Sequence, residues 1–263
     1  MGWLPEAVST YADRIDGIFY LILVITGVIF VVVEAVLLLF VFKYRHREGR
    51  AAHYTHGNTK VEIVWTAIPA LLCVLIGVLS IGPWLEIRNQ ANIPADAYAI
   101  DLTAKQFEWN ASYPGPDGRL GTADDVIKRN QIHIPGDRPV VVTLRSEDVI
   151  HSFFLPEFRV KQDAVPGMEI PVWFQATRTG EFTLACAELC GTGHTRMGGR
   201  LIVHSAEDFN AWLQSEGAGP PLGPRVAEAS AEDIPDQEAS ADVPSERPVA
   251  VGTASPSTDH DHP

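Results

Sequence analysis

Residues 18–42 read IFYLILVITGVIFVVVEAVLLLFVF, a run of 25 positions in which Glu34 is the one charged side chain. Crossing the hydrocarbon core of a bilayer takes about 20 helical residues. A helix that is apolar on every face has no side to offer to water. A second run, residues 63–85, reads IVWTAIPALLCVLIGVLSIGPWL and carries no charge at all. The two runs predict a two-helix transmembrane hairpin over residues 18–87, with spans at about 18–42 and 63–85. The first is not read as a cleaved signal sequence. Its leader, MGWLPEAVSTYADRID, sets Glu6, Asp13 and Asp16 against Arg14, and the apolar run is too long.

The link between the spans carries Lys43, Arg45, Arg47, Arg50 and Lys60 against Glu48. The outer flanks are acidic or mixed, with Glu6, Asp13 and Asp16 before and Glu86 and Asp96 after. Basic residues favour the cytoplasmic side, so the loop is expected there. Residues 1–17 become an extracytoplasmic N-terminal segment, and both ends of the chain face outward. In a bacterium this is a multi-pass protein of the inner membrane with its C-terminal part in the periplasm.

Past a short linker at 88–97 the pattern changes. Runs such as YAIDLTAKQFEW, PVVVTLRS, EIPVWFQAT, GEFTLAC and GGRLIVHS are short, often alternate, and are broken by Pro and Gly. Phe182, Leu184 and Cys186, for instance, fall on one side of a strand. Residues 98–213 are therefore expected to form an all-β sandwich. The polar stretch YPGPDGRLGTADD (113–125) lacks EF-hand spacing and reads as a solvated hairpin insert. Residues 215–263 are Ala, Pro, Glu, Asp and Ser with few large apolar side chains. Such a stretch cannot offset its ordering entropy and reads as a disordered acidic tail, with His260 and His262 at its solvated end.

The net charge of −13 is unevenly spread. Residues 1–87 hold 6 basic and 7 acidic groups, residues 88–214 hold 12 and 16, and residues 215–263 hold 2 and 10. A nucleic-acid partner is excluded on this balance, whereas a basic soluble protein suits it.

Chemistry concentrates in CAELCGTGHTRM, residues 186–197, which holds two of the three cysteines. A disulfide between Cys186 and Cys190 is compatible with an extracytoplasmic domain. It leaves His194 and Met197 unexplained. Zinc would suit two Cys and two His, but a thioether is not a zinc ligand. Thiolate, imidazole and thioether together select copper. A mononuclear blue-copper site needs one Cys, two His and a Met. Here a further Cys is present, and His151, after the predicted strand 140–145, offers the second imidazole. Because thiolates can bridge, the extra Cys points toward two ions, with one ion or a disulfide as the alternatives.

The twelve-residue run, with upstream DVIHSF (148–153) and KQDAVPGM (161–168), resembles subunit II of the haem–copper cytochrome c oxidases over roughly residues 15–213. The resemblance implies a cupredoxin-like β domain holding the binuclear copper centre CuA. By that likeness Cys186 and Cys190 bridge both coppers, and His151 and His194 each bind one. Met197 and the backbone carbonyl of Glu188 are the weak outer ligands. The Glu188 carboxylate would also reach a magnesium ion shared with subunit I, an oxygen-ligand role that suits Mg²⁺. The chain would accept single electrons from a cytochrome c, or from a cytochrome domain of a partner complex. It would pass them to haem in subunit I, where oxygen becomes water and protons are pumped, with subunit III as a further partner. The oxygen-reducing site and the haem would lie in subunit I, outside this chain.

Other stretches fit the same likeness. VEIVWTAIPAL (61–71) matches the start of the family's second helix, and Glu62 resembles the carboxylate at the cytoplasmic mouth of a proton path. Helix N-terminal acids also arise for dipole reasons alone. KQFEWN (105–110) matches an aromatic stretch where electrons enter, with Phe107 at the family's usual tryptophan and Trp109 retained. Both rings are also ordinary core candidates. Glu34 is expected to face protein, Cys73 to be inert packing, and Pro69 to kink the second helix or sit in its first turn. No CxxCH occurs, so no c-type haem is attached. A quinol oxidase subunit would have lost the copper ligands. A tethered copper-delivery protein would not need VEIVWTAIP or the glutamate between the cysteines.

Overall fold

A computed structural model describes residues 3–51, 53–136 and 138–219. Two long helices come first, α1 at Ala12–Lys43 and α2 at Thr59–Arg88. At 1.5 Å per residue, α1 is about 48 Å long and α2 about 45 Å, more than a bilayer core requires. The most apolar window of each helix is 0% buried against the rest of the chain, unlike the core helix of a soluble protein. Asn58 caps α2 by accepting from the backbone N–H of Lys60 and Val61. Pro69 lies in the interior of α2 rather than in its first turn.

The β domain follows the alternation seen in the sequence. Its strands are β1 (Tyr98–Lys105), β2 (Glu108–Tyr113), β3 (Val126–Arg129), β4 (Gln131–Pro135), β5 (Val140–Ser146), β6 (His151–Leu155), β7 (Val160–Ala164), β8 (Ile170–Phe174), β9 (Gly180–Cys186) and β10 (Gly198–His204). One five-stranded sheet runs β3-β2-β1-β5-β8 and the other β4-β10-β9-β6-β7. Most pairs are antiparallel, but β1–β5 and β4–β10 are parallel. The stretch read as one strand, YAIDLTAKQFEW, divides at Gln106–Phe107 into the antiparallel pair β1–β2. Trp109, Tyr98, Tyr113, Phe153, Phe158 and Phe174 fill the space between the sheets.

The N-terminal segment is stitched onto this domain. Val8 N–H donates to Glu157 O at 2.9 Å, Thr177 N–H to Val8 O at 2.9 Å, and Ser9 Oγ to Phe158 O at 2.7 Å. Arg159 closes on Asp16 through Nε–Oδ1 at 2.6 Å and Nη2–Oδ2 at 2.9 Å. Across the other helix end, Arg88 donates to the side chain of Gln162. Both outer ends of the hairpin therefore meet the same domain.

The domain ends in a helix, α3 at Ala206–Glu216, where strand pattern and then an acidic tail were expected. The signals for it are local. Ser205 accepts from Asp208 N–H as the N-cap, Gly217 takes a left-handed φ of 73°, and Phe209 and Leu213 are buried one turn apart. Residues 215 and 216, expected in the tail, belong to this helix, and residues 220–263 of the expected tail lie outside the described residues.

Under α3 sits a polar stack. His133 Nδ1 lies 2.8 Å from His204 Nε2, and Trp212 stacks on the His133 ring at 4.2 Å and 4°. Burial pulls His133 down to about 4, helped by the His204 and Lys128 charges and opposed by Glu216. Burial also lowers His204, opposed by Asp208. An unfolded histidine titrates near 6.5, so between that value and about 4 the unfolded chain binds protons that the folded chain refuses. Stability is therefore full above the unfolded value and is lost as pH falls toward the folded one. The urea midpoint, followed by tryptophan fluorescence, should drop between about pH 7 and 4.5. The drop should shrink in His133→Gln, and an equal drop in the variant would count against the stack.

Candidate metal centre

Strand β9 delivers Cys186 to the end of its sheet, and the chain then loops back to start β10 after Met197. The loop closes on itself, with Cys186 N–H donating to Met197 O at 3.0 Å. It is tied sideways to β6 by Ala187 N–H to Ser152 O at 3.0 Å. Because β6 pairs with β9 at Phe153–Cys186 and begins at His151, the register carries His151 to the cysteines. A short helical turn, His194–Arg196, presents His194 and leads into Met197.

The side chains converge. Cys186 Sγ and Cys190 Sγ are 3.9 Å apart, and both thiols are free. A disulfide bond is about 2.05 Å long, so the two sulfurs are not bonded. Cys190 Sγ is 3.7 Å from His194 Nδ1 and 3.7 Å from Met197 Sδ. Cys186 Sγ is 3.3 Å from the Glu188 carbonyl oxygen, while the Glu188 side chain is exposed. Ligand atoms of His151, Cys186 and Cys190 all lie within 4.8 Å of one another. The six residues expected as copper ligands thus share one end of the sandwich.

His151 supplies the sharpest test of fit. It is 0% exposed, and its Nδ1 has no hydrogen-bond partner among the described residues. Its Nε2 donates to Asp148 Oδ1 at 2.8 Å. Pairing with the carboxylate leaves Nδ1 as the bare lone pair, the form a metal ligand requires. Cys190 is buried as well. Burial pushes its thiol up to about 11, with the neighbouring Cys186 adding to the rise. A buried thiol gives up its proton more readily when a cation takes its place. The donor set of two soft sulfurs, two imidazoles, a thioether and a carbonyl fits copper better than zinc, for which thioether is foreign.

Residues outside the ligand run hold it in place. Asp148 accepts from Gln106 N–H at 2.7 Å, and Gln106 Nε2 donates to Cys190 O at 2.5 Å. Although partial desolvation opposes it, the Gln106 N–H and the His151 ring hold the Asp148 carboxyl below its usual range. Neither Asp148 nor Gln106 was picked out in the sequence as a site residue. Trp109 is fully buried, with its ring edge-on to His151 at 6.1 Å between centroids. Phe107 is half-buried and lies against the glycines of the loop, where a Cβ on Gly193 would overlap its ring. Glu62 is elsewhere, in the first turn of α2, about 39 Å along the helix axis from Arg88.

Comparison with known proteins identifies the family of the chain. Residues 1–82 match the family described as cytochrome c oxidase subunit II, transmembrane domain, and residues 104–205 match its periplasmic domain. An alternative cytochrome c oxidase subunit 2 of Bradyrhizobium diazoefficiens is 36% identical over 238 residues, covering 81% of this chain and 83% of the relative. The chain belongs to the cytochrome c oxidase subunit II family. A cytochrome c oxidase subunit 2 of Thermostichus vulcanus is 31% identical, over 82% of this chain and 79% of the relative. Among solved structures, the periplasmic domain of subunit II of cytochrome oxidase of Bradyrhizobium japonicum is 30% identical, covering 47% of this chain and 96% of that one, with a TM-score of 0.42. As a subunit II, the chain is a membrane protein and a component of an oxidoreductase complex.

Asp148→Ala removes both the ring acceptor and the anchor of Gln106. Copper affinity of the full-length chain should fall about 10–100-fold with circular dichroism unchanged. Unaltered affinity would mean that Asp148 does not position His151.

Proposed function

We propose that this chain is the copper-bearing electron-transfer subunit of a terminal cytochrome c oxidase. The observation that carries this reading is the unpartnered, fully buried Nδ1 of His151 beside two free thiols. His151, Cys186, the Glu188 carbonyl, Cys190, His194 and Met197 would hold two copper ions as CuA. When bound, the copper pair supplies one-electron transfer from cytochrome c, or a partner complex's cytochrome domain, toward haem in subunit I, where oxygen is reduced and protons are pumped.

The protein's own contribution is rigidity and dryness. His151, Cys190 and Met197 are buried, so water is kept from these three donors, while Cys186 and His194 are half-buried. Asp148 fixes the His151 tautomer, and the backbone bond from Cys186 to Met197 fixes the span of the loop. Ligands that do not rearrange keep the cost of changing charge low. Exposed apolar side chains surround the ligand loops: Val149 and Ile150 precede His151, and Leu189, between the cysteines, is 78% exposed. Such a patch is suited to burial against partner proteins.

The same reading assigns the remaining expected roles. The exposed Glu188 carboxylate would take magnesium at the contact with subunit I. Glu62 would serve a proton path from the cytoplasmic end of α2, and Phe107 with Trp109 would lie on the side where electrons enter. Trp109, being fully buried, would act from inside the domain and not as a docking side chain. The hairpin loop would be cytoplasmic, the β domain periplasmic in a bacterial inner membrane, and subunits I and III the membrane partners.

His194→Asn in the assembled oxidase tests this directly. Oxidation of reduced cytochrome c should slow by about 100-fold, the scale even of outer-shell changes at metal sites, with the haem spectrum unchanged. Turnover at the parent rate would remove the metal centre from the electron path.

A further inference from the structure

Where the hairpin meets the sandwich, a cleft of about 400 Å³ opens between the first turns of α1, the last turns of α2 and the start of β7. Ile15, Trp84 and Ile87 give it an apolar wall. Arg88, Arg159 and Lys161 also line it, and no carboxylate does. The three cations are not equivalent. Arg159 is committed to Asp16 through two hydrogen bonds. Arg88 bonds the neutral side chain of Gln162, its one hydrogen-bond partner among the described residues. Lys161 reaches Asp163 at 3.2 Å in an exposed pair, the kind that contributes little. The Asp163 carboxylate, which the Ser152 hydroxyl, Lys161 and Arg88 hold below its usual range, faces both cations, and one carboxylate against two cations leaves a net positive charge at this edge of the cleft.

The depth of the cleft narrows the choice of anion. The charge-free run of α2 ends at Leu85, and Arg88 follows about 4.5 Å further along the axis. That is the level at which the hydrocarbon gives way to headgroups. Trp84, 62% exposed one residue before the end of that run, is an aromatic side chain of the sort that settles there. At this depth the abundant anion is the phosphate of a phospholipid. The volume suits a headgroup and glycerol, and the exposed apolar faces of α1 and α2 continue from it.

We propose that this cleft is a binding site for an anionic glycerophospholipid. Its phosphate lies between Arg88 of α2 and Lys161 of β7, and its acyl chains follow the helices. Such a lipid bridges the membrane hairpin to the β domain beside the Arg159–Asp16 and Arg88–Gln162 contacts. It thereby helps to fix the domain that carries the metal ligands above the bilayer.

Trp84 provides the readout. The full-length chain is reconstituted in phosphatidylcholine vesicles with a minor share of bromine-labelled phosphatidylglycerol or bromine-labelled phosphatidylcholine. Subtracting the signal of Trp84→Phe isolates the fluorescence of Trp84. The brominated phosphatidylglycerol should quench it at least about fivefold more effectively than the brominated phosphatidylcholine, the ratio that one of the two cations near an anionic headgroup supplies by itself. Arg88→Gln with Lys161→Gln should abolish the preference, and Arg88→Lys should keep it. Equal quenching by the two lipids, or a preference that survives the double variant, overturns the proposal. Loss of the preference on adding inorganic phosphate at low millimolar concentration overturns it too, because the site would then be one for free phosphate.

Discussion

A buried imidazole nitrogen with nothing to bond to is costly, by about 1–3 kcal/mol for an unsatisfied buried polar group. His151 Nδ1 has no hydrogen-bond partner among the described residues, and the fold around it keeps it so. Asp148 occupies the opposite nitrogen, the β6–β9 register holds the ring against the cysteines, and Trp109 and Phe153 close off the interior. The neighbouring thiols are held apart and one of them is buried, which penalises their ionised form. Under the proposed function each of these costs would be relieved by one event, the arrival of a cation that prefers sulfur and imidazole. A soft metal bound there would cancel these unfavourable contributions together.

That arrangement needs a rigid scaffold, and the topology supplies it. The ligands come from the ends of β9 and β6 and from the loop before β10, three adjacent strands of one sheet. The facing sheet contributes the β1–β2 turn, whose Gln106 bonds both the Cys190 carbonyl and, through its N–H, Asp148. Gly193 and Gly191 let Phe107 of the same turn approach the loop. Residue 191 has a φ of 131°, a backbone conformation open to glycine and strained for other residues. The opposite end of the domain is fastened to the hairpin by the N-terminal segment and by Arg159 on Asp16. The metal end and the membrane end are in this way coupled through a single packed core.

Much of this was legible in the sequence because it depends on local composition. Apolar runs longer than a bilayer, with one charge in the first and none in the second, marked the helices, and alternation marked the strands. The spacing of Cys186, Cys190, His194 and Met197 marked one side of the site. What was not legible arises between distant segments. Asp148 and Gln106 look like ordinary polar residues until folding sets one against His151 and the other against Cys190. The parallel pairs β1–β5 and β4–β10 and the stack of His133 on His204, 71 residues apart, have no local signal. Helix α3 is different. Ser205, Phe209 and Leu213 carried a readable cap and periodicity, which the acidic composition beyond them obscured. Trp109 shows the same limit from the other side, since the sequence could not decide between a core ring and a surface one.

The central claim is that these six residues form one centre for two coppers acting as a single-electron carrier. Paramagnetic resonance of the copper-loaded full-length chain, with the metal counted on the same sample, tests it most directly. The account predicts two coppers per chain and one unpaired electron shared equally between two copper nuclei. A spectrum of one isolated copper, with one ion per chain, would contradict it.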